Sequence, residues 1–171
     1  MKIYYSGNDI SLFAVVREYI LDAKNRIWVE MFDFSSDEVI DILKRVKARN
    51  KDLDIRILLD MNDNNIDKWT RNGRMKRFEW GDVKFCNPTY FWAYHLKLGI
   101  VDNIVLFGSA NWSYSGLLKN REGIIVIDDE SILKESEKVF LQDWNNGVDE
   151  VGKRRVSLHK LMEKFIVEFL R

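Results

Sequence analysis

The sequence contains one cysteine, Cys86, and one proline, Pro88. A single thiol cannot close an intrachain disulfide and, by count, excludes a cysteine-rich zinc site. Glycine is also scarce, at nine, while apolar residues make up 46% and charged residues 32%. That balance excludes a linker or low-complexity chain and describes a folded protein. Long hydrophobic runs are missing too: nowhere do 18 uncharged apolar residues stand together, and the opening "MKIYYSGNDI" has no apolar core of the kind a secretory signal carries. Neither sign of charge is in excess, with 27 Lys plus Arg against 27 Asp plus Glu. Attraction to nucleic acid or anionic lipid therefore has to come from local patches. These absences lead us to expect a cytoplasmic protein in a reducing compartment, without stable membrane association.

What is present is enough for one core, since 171 residues suit a single domain of ordinary size. From Asp9 to Ala23, apolar Ile10, Phe13, Val16, Ile20 and Leu21 recur at helical spacing, and "RIWVEMFDF" follows as a strand. Ser35 and Ser36 offer caps for a second helix bearing Val39, Ile40, Leu43 and Val46, which leads into the strand "LDIRILLD". Strand, helix and strand in that order make a crossover with a parallel pair. Residues 61 to 80 are polar and basic, and "DVKFC" suits a short strand. From Tyr94 a strand runs into Asp102-Asn103, a pair suited to a two-residue hairpin turn, and "IVLFGS" returns antiparallel. "EGIIVID" is the next strand, followed by an amphipathic helix stopped at Gly147. The expected fold is α/β, with a mixed, mostly parallel central sheet flanked by helices over residues 1–147. Residues 148–171 are expected to add an amphipathic helix with Leu158, Met162, Phe165 and Phe169 in line.

The chemistry concentrates in one hairpin. Side chains alternate along a strand, so His95 and Lys97 share a face with Cα atoms roughly 6.5 to 7 Å apart, close enough for one phosphate to touch both. Gly108 and Ser109 end the returning strand, Asn111 offers an amide in the same turn, and Asn120 and Glu122 precede the next strand. A carboxylate at Glu122 could hold one imidazole nitrogen and leave the other free as a nucleophile. The pattern H-x-K-x4-D at His95, Lys97 and Asp102, then G-S-x-N at Gly108 to Asn111, then N-x-E at Asn120 and Glu122, resembles the phospholipase D superfamily. The likeness covers about residues 5 to 146. Within that family, one motif in so short a chain is most similar to the small single-motif endonucleases and to their piRNA-pathway and cardiolipin-hydrolase cousins. The stretch from Asp102 to the Gly-Ser pair is one residue shorter than is usual there, which implies a tightened hairpin.

The resemblance implies an αβα sandwich and a metal-independent phosphodiesterase needing no cofactor. His95 would attack phosphorus to form a phosphohistidine, and a second histidine would protonate the leaving oxygen and then activate water. Lys97, Ser109 and Asn111 would bind the phosphate and stabilise the extra negative charge of the phosphorane. Asp102 and Glu122 complete the motif's catalytic set. Asp102 has the opposite strand parity to His95 and Lys97, so its expected work is to brace the turn or a neighbouring lysine and not to touch phosphorus.

Elsewhere the signals are weaker. "KWTRNGRMKRFEW" carries Lys68, Arg71, Arg74, Lys76 and Arg77 among Trp69, Phe78 and Trp80, a mixture that grips phosphates and stacks bases, or else a solvated helix face. His159, on the terminal segment, reads as a surface or interface residue. Glu30 and Asp60 lie at strands where ligand sites often form, and no chemistry is assigned to them. The leading expectation is a nuclease acting on DNA or RNA. The alternatives are a lipid hydrolase of the phospholipase D or cardiolipin type, and a nucleic-acid-binding module of a larger nuclease or restriction assembly. One motif histidine in chemistry that needs two implies a homodimer with a shared active site, and the terminal helix is a further possible contact for a partner or domain.

Overall fold

A computed structural model describes residues 1–7, 11–62, 65, 81–86 and 93–148. The basic stretch from Lys68 to Arg77, the terminal segment with His159, and the "PTYFWAY" run as far as Trp92 lie outside these described residues.

The chain opens with a strand the sequence did not announce, β1 (Lys2–Tyr5). Helix α1 (Leu12–Asp22) starts where the Ser11 hydroxyl accepts from the Ala14 amide, and it buries Leu12, Val15, Val16 and Ile20. β2 (Arg26–Met31), α2 (Asp37–Arg49) and β3 (Asp54–Leu59) form the expected crossover, with Ser36 capping α2 through the Val39 amide. β4 (Asp82–Phe85), β5 (Lys97–Val101) and β6 (Ile104–Gly108) follow. A short α3 (Tyr114–Leu118), β7 (Gly123–Ile127) and α4 (Glu130–Asn146) complete the described order. Gly147 ends α4 where the periodicity predicts.

The seven strands form one mixed sheet in the order β1-β7-β6-β5-β2-β3-β4. Five of the strands, β1, β2, β3, β4 and β6, run the same way, while β5 and β7 oppose them. Because the two opposing strands are interleaved, only β2–β3 and β3–β4 are parallel neighbours. One core lies under α1, α2 and α3 and holds Leu12, Val16, Ile27, Met31, Phe34, Leu43, Ile57 and Leu117. The second lies under α4, where Phe140 stacks between Trp28 at 5.1 Å and Trp144 at 5.8 Å. The result is a helix–sheet–helix sandwich.

This topology sets the place of the site. The carboxyl ends of β2, β3 and β6 and the amino ends of β5 and β7 meet at one edge of the sheet. Residues just outside those ends, separated widely in sequence, become neighbours there. The β5–β6 turn is at the opposite edge.

Candidate active site

Lys97 opens β5 opposite Met31 of β2, which aims its side chain toward the core face and leaves it only 7% exposed. His95, two residues earlier, is exposed. The Lys97 ammonium folds back onto it, donating to the His95 carbonyl at 2.8 Å and lying 3.0 Å from Nδ1. The Phe32 ring packs 4.5 Å from the imidazole, and the ammonium lies 5.1 Å from the same ring centre. Phe32 is itself fastened: its amide donates to Leu96 at 3.1 Å, and its carbonyl accepts from Asn62 and Asn65. Imidazole and ammonium thus rest on an anchored aromatic face.

Burial pushes the Lys97 pKa below the ordinary lysine value, while the nearby Glu122, Asp33 and Asp60 carboxylates pull it back up. A lysine so placed is a partly desolvated cation, and such a cation attracts an incoming anion more strongly than one in open water.

The rest of the constellation comes from β6 and β7. A Cβ at Gly108 would overlap the Gly123 carbonyl, so only glycine lets the two strands approach there. That approach brings the Ser109 amide to the Gly123 carbonyl at 3.0 Å and the Gly123 amide to the Ser109 hydroxyl at 3.1 Å. Ser109 Oγ donates to Glu122 Oε2, and Asn120 Nδ2 lies 3.4 Å from Glu122 Oε1. Glu122 therefore holds Ser109 in this state, and it makes no hydrogen bond to His95. Asn111 Oδ1 accepts from the Asp33 amide at 3.3 Å, which ties the turn after β6 to the segment after β2.

Asp102 stands apart. It lies five positions beyond Lys97 along β5, roughly 17 Å at about 3.3 Å per position, so it cannot share a phosphate with His95 and leaves the catalytic set. Its backbone takes φ 50° in the two-residue turn, and its carboxylate accepts the Lys24, Asn25 and Arg26 amides at 2.8, 2.7 and 3.0 Å. It braces the hairpin against the loop before β2.

Two carboxylates reach this edge that sequence reasoning left without a role. Asp60, after β3, is buried and accepts the Tyr94 amide at 2.9 Å, fixing the backbone that leads to His95. Asp33, after β2, is half-buried, and among the described residues its enclosed Oδ1 has no hydrogen-bond partner. The signal for both was their position just past a strand's carboxyl end, which only the strand order turns into proximity. Among the described residues no three His, Cys, Asp or Glu side chains are grouped to hold a metal ion.

Residues 16–144 match the family described as "Cardiolipin synthase, PLD-like domain". The chain belongs to the phospholipase D-like family. It is 27% identical over 135 residues to a mitochondrial cardiolipin hydrolase of Xenopus laevis, covering 78% of this chain and 61% of that protein. It is 22% identical over 142 residues to the Chlamydomonas reinhardtii mitochondrial cardiolipin hydrolase, covering 82% and 60%. The phospholipase D-like chain thus spans about three fifths of the length of these curated relatives. Among solved structures, Nuc of Salmonella typhimurium, a phospholipase D family member, superposes with TM-score 0.69 at 24% identity, over 87% of this chain and 96% of that one. NucT of Helicobacter pylori gives 0.69 at 18%, over 87% and 98%. The likeness to Nuc and NucT shows the shared fold.

Proposed function

We propose that this phospholipase D-like protein is a metal-independent phosphodiesterase acting on nucleic acid, with His95 as its nucleophile. The observation that carries the reading is the pairing of an exposed imidazole with a buried ammonium 3.0 Å away, at the one sheet edge where Ser109, Asn111 and Glu122 converge.

In the first step, His95 Nε2 attacks phosphorus. The bond to the leaving oxygen breaks, and that oxygen takes a proton from a second imidazole. In the second step, a water gives its proton to that imidazole and attacks phosphorus. The P–N bond breaks and His95 is regenerated. Lys97, Ser109 and Asn111 balance the charge on the phosphoryl oxygens, and Glu122 accepts the Nδ1–H of His95 during attack. The second imidazole is His95 of another copy in a twofold dimer, since this chain has only two histidines and His159 lies outside the motif.

The basic and aromatic stretch from Lys68 to Arg77 supports nucleic acid as substrate. Among the described residues no helix is long and apolar enough to cross a membrane. A second reading, a lipid phosphodiester substrate, is favoured by the names of the cardiolipin-hydrolase relatives. Incubation with single-stranded DNA, RNA and phosphatidyl lipid vesicles in excess EDTA separates them. Cleavage of either nucleic acid with intact lipid supports the proposal, and lipid hydrolysis alone overturns the choice of substrate.

A further inference from the structure

The resting arrangement of His95 is not the one that attacks. An ammonium has only donors, so the Lys97 contact makes Nδ1 the acceptor and leaves the ring proton on Nε2. Nucleophilic attack from Nε2 needs the other tautomer, with the proton on Nδ1. Lys97 must therefore give up one of its two contacts with His95 before the chemistry starts. It can keep the carbonyl contact at 2.8 Å, but it must leave Nδ1.

The ammonium needs another acceptor, and the site holds one. Glu122 already accepts from Ser109 and Asn120 and is the acceptor for the Nδ1–H of His95 during attack, while Asp60 accepts the Tyr94 amide. Asp33 Oδ1 is enclosed and has no hydrogen-bond partner among the described residues. A carboxylate oxygen enclosed without a protein donor is an acceptor able to take one brought to it. Asp33 is also held in place: its amide is tied to Asn111, and its neighbour Phe32 carries the ring on which both Lys97 and His95 rest.

We propose that Asp33 is a positioning residue that draws the Lys97 ammonium off His95 Nδ1 when a phosphodiester enters, freeing the imidazole to take its attacking tautomer. The incoming phosphate occupies the third ammonium donor, Asp33 Oδ1 replaces Nδ1, and the His95 carbonyl contact persists. Asp33 touches neither the phosphate nor the reacting atoms. The charged and titratable groups facing Lys97 are His95 on its own strand, Asp33 after β2, Asp60 after β3 and Glu122 before β7. The inference rests on the phosphodiesterase reading only for the direction of attack.

The test reads the tautomer directly. In the full chain labelled with 15N-histidine, with His159→Gln to assign signals, the free protein should show His95 protonated on Nε2. Saturating orthovanadate should move the proton to Nδ1. In Asp33→Asn the ring should stay in the Nε2–H form while vanadate still binds, and kcat on a chromogenic phosphodiester should fall roughly ten- to hundredfold, as for loss of one hydrogen bond to a charged group. KM should change little, and Asp33→Glu should recover part of the loss. Asp33→Ser serves as the second variant if the asparagine form does not fold. A tautomer switch in both neutral variants equal to that of the parent overturns the inference, as does a parent ring that ignores vanadate. A parent that switches tautomer yet cleaves no phosphodiester defeats the functional reading and leaves the role of Asp33 standing.

Discussion

At the residue scale, the same type of side chain does three different jobs according to what surrounds it. Glu122 orients a hydroxyl, Asp33 waits for a cation, and Asp102 holds three backbone amides. For Asp102, burial pushes the carboxyl pKa up, but the Arg26, Lys24 and Asn25 amides and the Arg26 charge outweigh it and leave the value below the ordinary 3.8. A depressed folded value stabilises the protein above the unfolded value and is lost as pH falls through the folded one. Asp102→Asn should therefore cost about 1 to 3 kcal/mol at pH 7, and the deficit should shrink below pH 3.8, as measured by urea unfolding across pH. His95→Ala should behave oppositely. The side chain is exposed, so Tm should hold while turnover disappears.

At the element scale, α4 is seated on the sheet by Trp28, Phe140 and Trp144, and beneath it lies a buried acid. Glu30 of β2 is 1% exposed, and neither carboxyl oxygen has a donor in hydrogen-bond geometry. Burial, then the charge of the facing Asp143 on α4, raises its pKa from 4.5 to about 8. A raised folded value means stability present below 4.5 and lost progressively as pH rises toward about 8, with a slope of about 1.4 kcal/mol per pH unit. Glu30→Gln should flatten that slope and raise Tm at pH 8 and above. An unchanged alkaline limb would show that the α4 contact does not depend on this proton. How much could be read in advance also varies by element. The crossover, the β5–β6 hairpin and α4 follow from local periodicity, caps and a turn pair. β1 was missed because it is an edge strand of four residues whose apolar side chains Ile3 and Tyr5 are exposed, so no alternation marks it. α3 was missed because five residues carry too little period, and Ser113 capping and the buried Leu117 sustain it. The site divides likewise. His95, Lys97, Ser109 and Glu122 belong to adjacent strands and short spacing, whereas Asp33 reaches the site only through β2–β5 pairing, which sets Met31 opposite Lys97, and Asp60 only because β3 pairs with β2.

At the scale of the whole molecule, the sheet order gathers the site at one edge and leaves His95 exposed there, so a second copy can bring its own imidazole to the same phosphate. Sizing at micromolar concentration should give a dimer, and hybrids of parent and His95→Ala chains should be nearly inactive. A fully active monomer would make His159 the second imidazole. Replacing Arg71, Arg74 and Arg77 together should weaken nucleic-acid binding and flatten its salt dependence, because each lost phosphate contact releases fewer counterions. The central claim, covalent phosphoryl transfer through His95 without a metal, has one direct measurement. Rapid acid-free quenching of the protein with a phosphorus-labelled oligonucleotide in excess EDTA, followed by mass analysis, should find an acid-labile phosphoryl adduct on His95. Turnover without any adduct, or turnover abolished by EDTA and restored by magnesium, would contradict it.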